Sequence, residues 1–148
     1  MPAGVLVAAT FQFRLITPTG VVFDGHVEEV SAIGPLGQFG VLAEHINFIT
    51  SLVPGVLEAR LPDGSKMRWV VSGGLAEVKD GVLTVLASGA ETPESVDAGA
   101  AAAEVQAADK KFSNMSFYDP AYAAAQDSLK LALARVEAAA IQTASSRR

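Results

Sequence analysis

The sequence predicts an α+β fold, in which an N-terminal antiparallel β-sandwich is followed by a C-terminal antiparallel two-helix hairpin. Three observations lead to this prediction. Apolar and polar residues alternate up to about residue 93, turn signals separate the short apolar runs, and the chain becomes alanine-rich after residue 96. Because half of the residues are hydrophobic and only 18% are charged, the 148-residue chain can bury a core.

The N-terminal part shows the two-residue period of half-buried strands. In FQFRLI, Phe11, Phe13 and Leu15 share one face, and MRWVVS at 67–72 repeats the alternation. Three dipeptides carry turn signals: Asp63-Gly64, Asp80-Gly81 and Gly73-Gly74. The first two favour tight hairpin turns because both residue types tolerate positive φ angles, and the third predicts a hairpin or a bulge.

The last third of the chain has the composition of two helices. Asp97 is the predicted N-cap of a helix over residues 97–111, and Asp119-Pro120 predicts the start of the second, which extends to about residue 143. One face of the second helix contains Tyr122, Gln126, Leu129, Leu133, Val136 and Ala140. Because alanine buries little area, the hairpin is predicted to be held weakly on the β domain and to be able to move. The alternative is a plain structural tail.

Composition excludes several classes of function. A net charge of −5 leaves no basic face for nucleic acid, and the absence of cysteine excludes disulfides, thiolate metal sites and cysteine nucleophiles. The opening stretch MPAGVLVAAT is too short to span a membrane and lacks the basic start of a signal peptide. No other apolar run approaches the roughly 20 residues of a membrane helix, which predicts no direct membrane insertion.

Candidates for catalysis are few. His26 and His45 lie on different predicted elements and do not match a zinc-binding spacing, so no metal site is predicted. Glu28 and Glu29 are expected on opposite faces of a strand, which argues against a two-carboxylate hydrolase. Ser72 precedes two glycines but lacks the preceding glycine of a nucleophile elbow. None of these patterns predicts a catalytic site.

The stretch GPLGQFGVLAEH at 34–45 has glycines at three-residue spacing, as in a loop that binds phosphate. It lacks the lysine and hydroxyl of a P-loop, and a strand-like run follows it instead of a helix. We interpret it as a surface turn between strands, with Gln38 at its exposed tip and His45 on the strand behind.

Several motifs in order resemble one known family. The stretches FDGHVEEVSAIGPLGQFGVLAEHINFITSLVPG and VSGGLAEVKDGVLTVLA, followed by VD at the start of an alanine-rich helix, resemble the epsilon subunit of rotary F-type ATP synthases, called delta in mitochondria. The likeness covers residues 11–143. It implies a β-sandwich of about ten strands over residues 1–93 and a helical hairpin over residues 94–148, the division that the change of period also predicts.

The resemblance implies a non-catalytic rotor subunit at the foot of the central stalk. The sandwich would bind the gamma subunit and the membrane-embedded ring of c subunits, and would couple proton-driven rotation to ATP synthesis. The C-terminal helices would contact the catalytic alpha/beta head and restrain ATP hydrolysis. The expected location is the cytoplasmic face of the bacterial cell membrane, as a peripheral subunit, or the matrix side of the mitochondrial inner membrane.

Site residues follow from the same resemblance. The family segment that contacts the ring matches Gly37, Gln38, Phe39 and Gly40. His45 matches a stalk-contact position. Relatives often carry an acidic residue in place of Gln38, and Pro-Gly where this chain has Ala43-Glu44.

Some bacterial members bind ATP through an aliphatic-Asp-x-x-Arg-Ala pattern at the first helix. Val96 and Asp97 match this pattern, but Ala100 stands in place of the arginine, and Arg135 is the candidate cation on the second helix. Without the second guanidinium, we expect weak or absent ATP binding at Asp97 and Arg135, and no cofactor. The alternatives are a stand-alone β-sandwich protein-binding module with a helical tail, and a small hydrolase using Ser72 or His45.

Overall fold

The structure, a computed structural model, describes residues 8–147. In this part of the chain the strands are β1 Phe11–Thr17, β2 Gly20–Val27, β3 Glu29–Gly34, β4 Gly37–Leu42, β5 Phe48–Leu52, β6 Gly55–Arg60, β7 Lys66–Val71, β8 Gly74–Lys79, β9 Val82–Ala87 and β10 Ala90–Glu91. A short 3-10 turn over Pro93–Ser95 leads into helices α1 Ala98–Ser113 and α2 Tyr122–Ser146. The predicted fold class is confirmed.

The strands form two five-stranded sheets. Sheet 1 has the order β2-β1-β9-β8-β5, and sheet 2 has the order β10-β7-β6-β3-β4. Neighbouring strands are antiparallel except for β1 and β9, which run parallel with Gln12 opposite Val82. This exception to the predicted antiparallel sandwich is possible because no hairpin turn joins the two strands, and a hairpin turn permits only antiparallel pairing.

The core lies between the two sheets and confirms the predicted alternation in β1. Phe13 and Leu15 are fully buried, and the ring of Phe13 packs edge-on to Trp69 with centroids 6.3 Å apart. Strand β7 departs from this alternation, because Val70, which lies on the outer face of sheet 2, is also fully buried. Helix α2 covers it, as described below.

The turns follow the predicted chemistry in part. Asp80 and Gly81 both have positive φ angles, 50° and 79°, as expected for a tight β8–β9 turn. At the other predicted hairpin only Gly64 has a positive φ, 86°, because a longer loop joins β6 to β7. In that loop the Asp63 carboxylate accepts hydrogen bonds from the backbone N–H and hydroxyl of Ser65, which lower the pKa of Asp63.

Gly73 and Gly74 form neither a hairpin nor a bulge between paired strands. They carry the chain from β7 in sheet 2 to β8 in sheet 1, with φ angles of 103° and 148°. Left-handed or mirror-extended backbone is needed at this corner, and only glycine adopts it without strain. The glycine pair is therefore the connection between the two layers of the sandwich.

The two helices begin close to the predicted positions. Asp97 is the N-cap of α1, and its carboxylate accepts a hydrogen bond of 2.8 Å from the N–H of Ala100, as predicted. Helix α2 starts at Tyr122 and not at Pro120. The Asp119 carboxylate accepts from the N–H of Ala121 at 2.8 Å, so the Asp-Pro pair forms the turn that precedes the helix.

The predicted apolar face of α2 is not its packing face. Leu133 is 50% exposed, whereas the buried residues of the helix are Ala125, Ala132, Ala134, Ala138 and Ala139. Ala134 and Ala138 pack on Val70 at the outer face of sheet 2. Small side chains let the helix approach the sheet closely, which the larger leucines would prevent.

Two expectations about membranes and the N-terminus have separate outcomes. The stretch MPAGVLVAAT lies mostly outside the described residues, and the expectation for it stays a prediction. Neither helix of the described part combines the length and the apolar character required to cross a bilayer.

Candidate functional site

The GPLGQFG stretch forms the β3–β4 hairpin at one end of sheet 2. Gly34 pairs with Gly37, so the apex consists of Pro35 and Leu36, and the predicted tip at Gln38 is wrong. Gln38 lies at the start of β4, opposite Ile33. A two-residue turn explains the shift, because Gly37 with φ 120° ends the turn and begins the strand.

The side chain at the apex is apolar and fully exposed. Leu36 has a relative exposure of 105%, and the next loop exposes Ile46 (77%). Strand β5, at the edge of sheet 1, exposes Ile49 (60%). Our sequence interpretation missed these three residues. For Leu36 alone the sequence holds a signal, because an apolar residue directly after proline in a turn lies at the surface.

Three aromatic side chains connect the residues predicted to contact the c-ring with the residue predicted to contact the stalk. Phe39 on β4 packs edge-on to Phe48 on β5, with centroids 5.8 Å apart, and His45 lies 4.8 Å from Phe48. Phe48 therefore joins the edges of the two sheets and positions the imidazole. His45 is in the loop after β4, which corrects the prediction that it lies on a strand.

The imidazole of His45 has a defined orientation. Its Nδ1 lies 2.8 Å from the carbonyl oxygen of Ile46, and because a carbonyl only accepts, Nδ1 carries the proton. In the tautomer that has its proton on Nδ1, Nε2 is the acceptor that faces a partner.

Together these residues line an apolar groove between the edge strands β4 and β5, with a volume of about 530 Å³. We call it the edge groove. Its lining includes Leu36, Phe39, His45, Ile46, Phe48 and Ile49. The structure thus brings Gly37, Gln38, Phe39, Gly40 and His45 into one site. The arrangement provides a surface for protein contact, with a single imidazole as its titratable group among the lining residues.

The loop that carries His45 contains a strained residue. The N–H of His45 donates to the carbonyl of Leu42 at 3.3 Å, which closes a four-residue turn, and Glu44 in this turn has a φ of 64°. Left-handed backbone costs a residue with a Cβ about 1–2 kcal/mol. Glycine occupies such a position without this cost.

Glu44→Gly is therefore expected to stabilise the protein. The relief of backbone strain exceeds the added entropy of the unfolded chain, and we expect the free energy of unfolding to rise by about 0.5 kcal/mol. The midpoint of urea unfolding at unchanged m-value measures this gain. Glu77→Gly, at an exposed position of strand β8, is the control and should lower the free energy of unfolding. A loss of stability in both variants would contradict the expectation.

Outside the edge groove, the predicted ATP contacts Asp97 and Arg135 line one small pocket of about 190 Å³. The pocket also contains Glu91 and Glu104. Arg135 donates two hydrogen bonds to Glu91, of 2.9 and 2.6 Å, and a third of 2.8 Å to Glu104. These hydrogen bonds, first from Glu91 and then from Glu104, raise the pKa of Arg135 above its usual range. The guanidinium is thus already engaged by two carboxylates.

The acidic pair Glu28 and Glu29 does not point to opposite sides as predicted. Both carboxylates contact Arg60, at 3.0 Å and 2.9 Å, because Glu28 lies in the bend between β2 and β3 and not within a strand. Among the described residues no group of three histidine or acidic side chains could hold a metal ion.

The comparisons with known proteins agree with this fold. The family model for the ATP synthase delta/epsilon chain β-sandwich domain matches residues 10–93. An ATP synthase epsilon chain of a Bradyrhizobium species is 40% identical over 103 residues, or 70% of this chain and 76% of the relative. Another, from a Synechococcus species, is 40% identical over 129 residues, which are 85% of this chain and 93% of the relative.

Solved structures show the same likeness over both parts of the chain. A chain of the Euglena gracilis mitochondrial ATP synthase aligns with a TM-score of 0.77 at 25% identity, covering 95% of this chain and 87% of that chain. The match with the family model over more than half of the chain, and the identity to the relatives, decide the assignment. This chain belongs to the ATP synthase delta/epsilon family.

Proposed function

We propose that the chain is a non-catalytic rotor subunit in the central stalk of an F-type ATP synthase, where it couples proton-driven rotation of the c-ring to ATP synthesis through the gamma subunit. The observation that carries the proposal is the edge groove, an exposed apolar surface in a member of this family. Exposed apolar patches of this kind mark protein–protein contacts. The Euglena relative is itself part of an assembly with a c-ring, which supports the same partner.

Each end of the groove has a proposed partner. The β3–β4 hairpin contacts the c-ring through Gly37, Gln38, Phe39 and Gly40, and the exposed Leu36 inserts first. Because Gln38 is uncharged, this contact is an amide hydrogen bond and not an ion pair. His45 contacts the gamma subunit, to which Nε2 offers an acceptor.

In this proposal the two parts of the chain have separate functions. Residues 1–93 bind the stalk and the ring, and residues 94–148 form the regulatory hairpin that contacts the catalytic alpha/beta head and restrains ATP hydrolysis. The subunit is peripheral, on the cytoplasmic face of the bacterial cell membrane. Weak packing supports the regulatory role, because α2 rests on the sandwich through alanines.

ATP binding is not part of the proposed function. A phosphate group would need donors from Arg135, but Glu91 and Glu104 accept them at 2.6–2.9 Å. Ala100 supplies no second guanidinium, and the carboxylates would repel the phosphates.

Co-purification tests the proposal. The tagged full-length chain, expressed in a bacterium that carries a close relative of this sequence, is captured from detergent-solubilised membranes. Recovery of gamma, c and the catalytic subunits in fixed ratio supports the rotor function. A monomer that captures none of them would contradict it and would favour the stand-alone binding module.

Removal of the hairpin should raise ATP hydrolysis. Truncation after residue 93 uncovers only the outer face of sheet 2 around Val56 and Val70, and leaves the core between the sheets intact. We expect unchanged ATP synthesis and about fivefold faster hydrolysis in the assembled complex, since typical couplings between sites are of this size. Equal hydrolysis rates with and without the hairpin would contradict the regulatory role.

A further inference from the structure

Arg135 is the point at which three elements of the structure meet. Its Nε and Nη2 form a fork with the two oxygens of Glu91 on β10, and its Nη1 binds Glu104 on α1. The side chain of Arg135 therefore connects α2 both to the sandwich and to α1. Bidentate arginine–carboxylate pairs are stronger and more directional than ordinary surface ion pairs.

The ion triad lies directly beside the apolar contact between α2 and the sandwich. In the β7–β10 pairing Glu91 is opposite Val70, and Ala134, the neighbour of Arg135 in sequence, packs on Val70. The side chain of Arg135 is only 27% exposed, and that of Glu91 is 37% exposed. Partial burial reduces the screening of the pair by solvent.

The apolar contact alone is small. Its buried members are one valine and two alanines, Val70, Ala134 and Ala138, with Val56, Val96 and Leu131 packed around them. Alanines gain little from burial, so a bidentate polar contact at the same place adds to a weak apolar contact. The pair of Arg135 with Glu91 is lost if the hairpin leaves the sheet, whereas its pair with Glu104 lies within the hairpin.

We propose that Arg135, Glu91 and Glu104 form an ionic latch that holds the helical hairpin in its docked position on sheet 2. Within the latch the Arg135–Glu104 pair fixes α1 against α2, so both helices leave sheet 2 together when the Arg135–Glu91 pair opens. In an assembled complex, a partner would release the hairpin by offering its own cation to Glu91 or its own carboxylate to Arg135. Only this consequence rests on the proposed function.

Hydrogen exchange on the isolated full-length chain tests the latch. In Arg135→Gln we expect amides of α1 and α2 to exchange about tenfold faster than in the wild type, while the core strands keep their protection. Added salt should accelerate helix exchange in the wild type but not in the variant. Protection of the core strands also shows that the variant has folded.

Arg14→Gln is the control. Arg14 on β1 pairs with Asp24 on β2 at 3.6 Å, and both strands belong to sheet 1, whereas α2 packs on sheet 2. This variant should leave helix exchange unchanged. Equal helix exchange in Arg135→Gln and the wild type, or the same acceleration in Arg14→Gln, would overturn the latch.

A double-mutant cycle gives a second readout. Glu91→Gln should accelerate helix exchange in the wild type but have almost no further effect in Arg135→Gln, because the pair is already broken. If the effects of the two substitutions on helix exchange were additive, the Arg135–Glu91 pair would not be what protects the helices. Since the isolated chain needs no partner, this outcome is independent of co-purification, and either proposal can fail without the other.

Discussion

Gly74→Ala is expected to lower the free energy of unfolding by about 3 kcal/mol or more. A Cβ atom at this position would overlap the carbonyl oxygen of Leu86 and lie 2.9 Å from the Cα of Ala87. Both atoms belong to the backbone of β9, which pairs with β8 at this point. The neighbours cannot move aside without breaking the ladder, and the φ of 148° adds strain.

Gly81→Ala separates the clash from the backbone strain. Gly81 also has a positive φ, 79°, but an added Cβ would meet nothing within 4 Å. Its cost should therefore be only the left-handed strain of about 1–2 kcal/mol. Urea unfolding of the two variants measures the difference, and equal losses would show that the contact with β9 is not the cause.

Charging the edge groove should strongly weaken assembly while leaving the fold intact. Leu36→Asp with Ile46→Asp places two carboxylates on side chains that are almost fully exposed, so the unfolding midpoint should change little. In the proposed interface these carboxylates would be buried without partners. We expect the affinity for the gamma–c-ring subcomplex to fall at least about a hundredfold.

Phe117→Asp is the control for this prediction. Phe117 is 72% exposed in the connection between α1 and α2, outside the residues that line the groove. It carries the same change from apolar to acidic. Surface plasmon resonance on immobilised subcomplex measures all variants; an unchanged affinity of the groove variant, or an equal loss in Phe117→Asp, would contradict the groove as the interface.

The strands and caps could be predicted because their causes are local. Phe13 and Leu15 share a face through the geometry of a single strand, and Asp97 caps the helix that begins beside it. The tip of the hairpin at 34–37 was assigned wrongly, because several glycines permit a turn and strand pairing selects among them. Glycine content identifies the region of a turn but not its apex.

The packing of α2 could not be predicted from hydrophobicity. A ranking by side-chain size favours Leu133, but the helix approaches Val70 through Ala134 and Ala138. The distance between a helix and a sheet depends on the tertiary packing, and only small residues fit between them when that distance is short. The same limit applies to Arg135, whose partner Glu91 is far away in sequence.

The parallel pairing of β1 with β9 has a consequence for synthesis of the chain. When the β1–β2 hairpin leaves the ribosome, the strand that belongs beside β1 has not been translated, so its inner edge is open. Sheet 1 closes only after residue 87 has emerged. Because loop closure over such a separation is slow, we expect the pairing of β9 with β1 to limit the folding rate. Until β9 pairs with it, the open edge of β1 has to be protected from other strands.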